Sequence, residues 1–85
     1  MSFAYDKAAE ILKNPERWVA DEGGSRIVVV YKNRQENYSI AEIMNSNPPY
    51  LTETIENTLW FRTVDLARQY AKKEMYVEAR FKKAK

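Results

Sequence analysis

The order of apolar and polar residues divides the chain into short elements of alternating type. From Phe3 to Lys13, Ala4, Ala8, Ile11 and Leu12 recur at helical spacing, with Phe3 and Tyr5 beside them. Asp6, Lys7, Glu10 and Lys13 fall on the opposite side, so the pattern predicts an amphipathic helix over 3–13. Pro15 ends it, because its ring disfavours helical backbone at the residue before. The only two glycines, Gly23 and Gly24, stand between Trp18-Val19-Ala20 and Ile27-Val28-Val29-Val30-Tyr31. A glycine pair suits the positive φ angles of a tight turn, which predicts a β-hairpin with strands near 17–22 and 25–33. Five successive apolar residues in the second strand imply burial on both of its faces.

Asn33 to Asn37 reads as a polar turn. Ser39 and Glu42 then have the spacing of a capping box, and Tyr38 and Ile43 that of a hydrophobic staple, which predicts a short helix before Asn45-Ser46-Asn47-Pro48-Pro49. Leu51, Ile55 and Leu59 are helically spaced, and a second short helix is expected within 50–57, although Thr52 and Thr54 favour strand. Thr58 to Arg62 reads as a strand. Thr63 is placed to cap a helix running through Glu74. Met75, Val77, Ala79 and Phe81 alternate with polar residues and predict a strand over 75–82; the same residues also fit a continuation of the preceding helix. The expected fold is α+β. One domain spans 1–85: an N-terminal helix, a β-hairpin, a short helical corner, then strand, helix and strand. Helices 3–13 and 64–74 would lie mainly on one face of a small sheet, and 83–85 would form a frayed basic tail.

Composition narrows the chemistry. There is no cysteine and no histidine among the 85 residues. That excludes disulfides, thiolate or imidazole metal sites, cysteine nucleophiles and the usual histidine base. With only two glycines the chain has no phosphate-cradling loop. Neither a cofactor nor a metal is expected. Asp21 with Glu22 and Glu53 with Glu56 are the remaining acid–base pairs, and they read as solvated surface charge. The sequence therefore points to binding rather than catalysis. No stretch is long enough to cross a membrane, since the longest aliphatic and aromatic run is Ile27 to Tyr31. The opening residues lack the pattern of a secretory signal, and a cytoplasmic location is expected.

Net charge is +2, but it is unevenly placed. Six basic against nine acidic residues leave 1–61 at −3, whereas eight against three bring 62–85 to +5. Arg68, Lys72, Lys73, Tyr76, Arg80 and Lys82 are the candidate nucleic-acid contacts, because cations interleaved with an aromatic neutralise phosphates and stack a base. The competing signal is aromatic. Eleven aromatic residues are many for so small a core, and tyrosine and tryptophan dominate protein interfaces. Tyr50, held behind Pro48-Pro49, is a candidate protein contact together with Tyr38 and Trp18. The leading expectation is a small non-catalytic regulatory or adaptor domain that binds a protein partner. Nucleic-acid binding through 62–85 is the alternative, and self-association is a further route by which a small domain extends its core.

Overall fold

Alternation along one strand organises the whole molecule. The computed structural model describes residues 3–84. In it, Arg26–Lys32 forms the central strand of a five-stranded antiparallel sheet. The elements run α1 (Phe3–Leu12), β1 (Arg17–Asp21), β2 (Arg26–Lys32), β3 (Tyr38–Met44), β4 (Tyr50–Thr54), α2 (Val64–Glu74) and β5 (Lys82–Lys83). In space the strands lie in the order β4-β3-β2-β1-β5. The chain is thus a small mixed α+β domain.

Successive side chains of a strand point to opposite faces. Ile27, Val29 and Tyr31 accordingly pack with Ala41 and Ile43 beneath Ala8 and Ile11 of α1. Val28 and Val30 pack with Ala20 and Ile40 beneath Ala67 and Ala71 of α2. The unbroken apolar run therefore does mean burial on both faces. The helices cover opposite faces, which corrects the expectation that both lie mainly on one. α2 buries Ala67 and Ala71 against the sheet and α1 buries Ala8 beside Ile11, small side chains that allow close backbone approach.

The hairpin forms where the glycines predicted it. Glu22 N–H donates to Arg26 O at 3.0 Å, with Gly23 and Gly24 both at positive φ. Asn33 holds the next turn, its Oδ1 accepting from the backbone N–H groups of Gln35 and Asn37, each at 3.0 Å. Thr63 caps α2 by accepting from Leu66 N–H at 3.2 Å.

Four expectations are corrected. The capping-box segment is not a helix but β3, paired with β2 along seven residues from Arg26↔Met44 to Lys32↔Tyr38. A capping box contributes about 1 kcal/mol, whereas burying Ile40 and Ile43 contributes about 1.5–3 kcal/mol each. A helix here would also leave one edge of β2 without backbone partners. The second short helix is β4, where Thr52 and Thr54 follow their strand preference; a register shift falls opposite Glu42 and Ile43. The strand expected at 58–62 reduces to a single bridge, Tyr38↔Phe61. The strand expected over 75–82 is irregular until Lys82, and only Lys82–Lys83 pairs with β1.

That irregular segment is still anchored. Val77 and Phe81 are buried in the α2-side core. The Glu22 carboxylate accepts from Ala79 N–H at 2.8 Å and Glu78 N–H at 3.4 Å. Lys83, expected in a frayed tail, sits in the sheet, and Ala84 N–H donates to Arg17 O at 3.0 Å. Lys85 lies outside the described residues. Among the described residues no helix is long and apolar enough to cross a membrane.

Candidate functional site

One groove collects exposed aromatics and a built polar cluster. Phe3, Lys7 and Glu10 come from one side of α1. Asn33, Arg34, Gln35 and Asn37 come from the β2–β3 turn, and Glu56, Asn57 and Trp60 from the segment after β4. The space they enclose is about 620 Å³, within the range of small-ligand and peptide sites.

Trp60 is exposed because its neighbour is not. Phe61 exchanges backbone hydrogen bonds with Tyr38, 2.8 Å in both directions, and its ring lies 5.3 Å from that of Tyr70 in the core. In extended backbone the preceding side chain then points the other way, and Trp60 is 53% exposed. Phe3, on the first turn of α1, is 66% exposed. Two large aromatics thus line one groove without being part of the core.

The groove floor is ionic and closed on itself. Tyr31, at the end of β2, is buried, and its hydroxyl donates to Glu56 Oε1 at 3.0 Å. Lys7 Nζ reaches Glu56 Oε2 at 3.0 Å and Glu10 Oε2 at 3.4 Å, and lies 5.9 Å from the Tyr31 ring centroid. Arg34 approaches Glu10 Oε1 at 3.5 Å. Burial pushes the Tyr31 phenol up from its ordinary value, and the Glu56 charge adds to the shift. Burial acts to lower the Lys7 pKa, but the hydrogen bond to Glu56 and the charges of Tyr31, Glu56 and Glu10 outweigh it, so the net shift is upward. Lys7 and Glu56 are thus held to each other by direct contact, with Nζ 3.3 Å from Glu56 Oε1 and 3.0 Å from Oε2. Among the described residues no group of three carboxylates is placed to hold a metal ion.

The basic candidates from the sequence are only partly brought together. Arg68, Lys72 and Arg80 line a second groove between α2 and the segment leading to β5, shared with Asp65 and Glu78. Arg68 is paired with Asp65, and Lys72 Nζ reaches Ala79 O at 3.4 Å. Lys73 and Tyr76 are exposed but do not line that groove. Tyr76 follows α2 at φ 56, 79% exposed. Lys82 stands in β5 opposite Val19.

The aromatic candidates do not converge either. Trp18 and Tyr38 meet edge to face with ring centroids 5.8 Å apart against the α2-side core, and Lys83 lies 5.3 Å from the Trp18 ring. Tyr50 packs on Tyr5 of α1, ring centroids 5.7 Å apart. All three are half-buried with intramolecular ring partners.

Sequence reasoning did not single out Phe3, Lys7, Glu10, Arg34, Glu56 or Trp60 as one site. Alternation around Phe61 would have placed Trp60 outward. Nothing local links Lys7 to Glu56, forty-nine residues apart. Comparison with known proteins finds no relative: no family model matches the chain, and no curated protein or solved structure is significantly similar to it. The functional reading therefore rests on the groove itself.

Proposed function

We infer that this chain is a small non-catalytic regulatory or adaptor domain of the cytoplasm that binds a protein partner, and that the Phe3–Trp60 groove is its contact surface. The observation that carries this reading is the joint exposure of Phe3 and Trp60 on one groove. Large aromatics left in water without a core role are the residues that dominate protein interfaces when covered. The ionic groups beneath them pair internally, so the floor carries two cations and two carboxylates. Such a surface suits a partner held by apolar contact and hydrogen bonds rather than by opposite charge.

Nucleic-acid binding is the second reading, supported by the meeting of Arg68, Lys72 and Arg80 on one groove. Asp65 and Glu78 in the same lining weaken it, because carboxylates repel phosphate. One selection separates the two. A random-peptide display library is panned against the immobilised protein, with the Phe3→Ala/Trp60→Ala double variant as counter-target. Enrichment of peptides that the double variant does not retain supports the protein-binding reading; no such enrichment contradicts it. Binding of a mixed-sequence oligonucleotide that weakens steeply with salt and is lost in Arg68→Ala/Lys72→Ala/Arg80→Ala would favour the second reading instead.

A further inference from the structure

We propose that two copies of this chain pair by exchanging residues 77–84, each segment seating on the sheet edge of the other copy. Helix α2 stops on a residue poorly suited to stop it. Met75 is its C-cap, and Tyr76 follows at φ 56, the left-handed position that glycine ordinarily takes after a helix. A tyrosine there is strained, because its Cβ crowds the backbone. Packing does little to compensate, since Tyr76 is 79% exposed. From Glu74 to Lys82 no glycine, proline, asparagine, aspartate or serine marks a turn, and Val77 and Phe81 continue the helical spacing of Leu66 and Tyr70. The reversal at Met75–Tyr76 is therefore imposed by the seat that 77–84 occupies. Rotation at Tyr76 relieves the strain and carries the segment away.

The seat itself shows what fits it. Val77 and Phe81 enter the α2-side core beside Ala67 and Ala71. The Glu22 carboxylate accepts from the N–H groups of Glu78 and Ala79, Lys82 and Lys83 pair with Val19 and Trp18, and Ala84 N–H donates to Arg17 O. Each contact joins a residue beyond the hinge to one before it, so the same segment of a second copy can make them all. Its hold on β1 is short. A gap of about 250 Å³, lined by Val19, Asp21, Ala79, Arg80 and Lys82, lies where the pairing lapses. Exchange keeps these contacts and frees Tyr76 in both chains, against the cost of bringing two chains together, so the dimer should form as concentration rises. A short hinge under strain is the arrangement that invites such exchange.

The test uses the absence of cysteine from the chain. Val19 and Lys82 are register partners across β1 and β5, and directly opposed Cα atoms of an antiparallel pair lie within disulfide reach. Val19→Cys/Lys82→Cys is refolded from urea at millimolar concentration, separated by size exclusion, oxidised and run without reductant under denaturing conditions. The expected result is a dimer fraction linked between chains and a monomer fraction linked within one chain. Sedimentation equilibrium gives the dimer Kd of the cysteine-free protein. It should rise at least about tenfold in Tyr76→Gly, because glycine removes the strain and the effect counts once per chain. In Tyr76→Val it should fall, since a branched side chain tolerates the left-handed position worse. Tyr76 is exposed, so both variants keep the core. An isotope-filtered NOE between Val77 of a labelled copy and Ala71 of an unlabelled one reads the exchange without cysteines. Dimers linked only within each chain, or lacking that NOE, would overturn the proposal. So would a Kd indifferent to residue 76, or no dimer at millimolar concentration even in Tyr76→Val.

Discussion

Replacing Glu22 by alanine should loosen the C-terminal segment from the sheet before the rest of the molecule unfolds. Among the described residues, its carboxylate is the one side chain of the β1–β2 hairpin hydrogen-bonded to residues 78–79. The Ala79 N–H bond at 2.8 Å is short and charge-assisted, the kind that contributes about 1.5–3 kcal/mol. The Glu78 N–H contact at 3.4 Å is long and adds little. The Arg26 pair at 2.9 Å is a third exposed on the arginine side, and Arg26 keeps its bond to Glu42, so this loss is below about 1 kcal/mol. Together these give a destabilisation of about 2–3 kcal/mol, which for a domain of this size lowers Tm by roughly 10–20 °C. Val77 and Phe81 remain in the core, so the segment should fray rather than detach. Urea unfolding gives the global term, and amide exchange of Ala79, Ala84 and their neighbours gives the local one. A change under about 0.5 kcal/mol with unaltered exchange at Ala79 would refute the clamp, since that is the scale of an unremarkable surface substitution.

Three further outcomes follow from the same contacts. Ala71→Leu, at the fully buried contact between α2 and the sheet, should cost about 1–3 kcal/mol by forcing the helix outward, measurable as a lower urea midpoint. Tyr76→Gly should raise stability by about 0.5–1 kcal/mol, because the residue sits at φ 56 and gives up little burial; an unchanged or lower Tm would contradict this. Acid should destabilise the fold through two carboxylates. The Ala79 N–H holds Glu22, and the Thr52 hydroxyl followed by Arg26 holds Glu42, below the ordinary value of 4.5. Both folded pKa values are depressed, so their contribution is complete above 4.5 and is lost as pH falls through the folded values. The urea midpoint should therefore drop on acidification, and Glu22→Gln/Glu42→Gln should flatten that drop.

What was legible in the sequence was what local chemistry decides. Gly23-Gly24 dictates a hairpin turn, Asn33 closes its own turn with its side chain, Thr63 caps α2, and the run Ile27 to Tyr31 demands cover on two faces. The errors lie where a local signal competes with a distant partner. Ser39 and Glu42 spell a helix start, yet Ile40 and Ile43 gain more by lying flat against β2, and β2 needs a backbone neighbour on that side. Alternation from Met75 to Phe81 is real in that Val77 and Phe81 are buried, but the Glu22 carboxylate takes the N–H groups of Glu78 and Ala79, and only Lys82 and Lys83 pair with β1. The groove was hidden for a related reason. Its residues come from α1, the β2–β3 turn and the segment after β4, and no spacing within one stretch brings Lys7 to Glu56. The C-terminal third is the most basic stretch of the sequence, whereas the structure scatters its cations: Arg68, Lys72 and Arg80 line a groove shared with carboxylates, Lys82 and Lys83 stand at the sheet edge, and Lys73 lies apart from both.

The Trp60 indole N–H resonance is the most direct test of the central claim. With the best peptide from display selection added to saturation, that signal should move or exchange-broaden together with the amides of Asn37 and Asn57, while those of Arg68, Lys72 and Arg80 stay in place. Movement confined to the α2 groove, with Trp60 unchanged, would contradict the assignment of the binding surface.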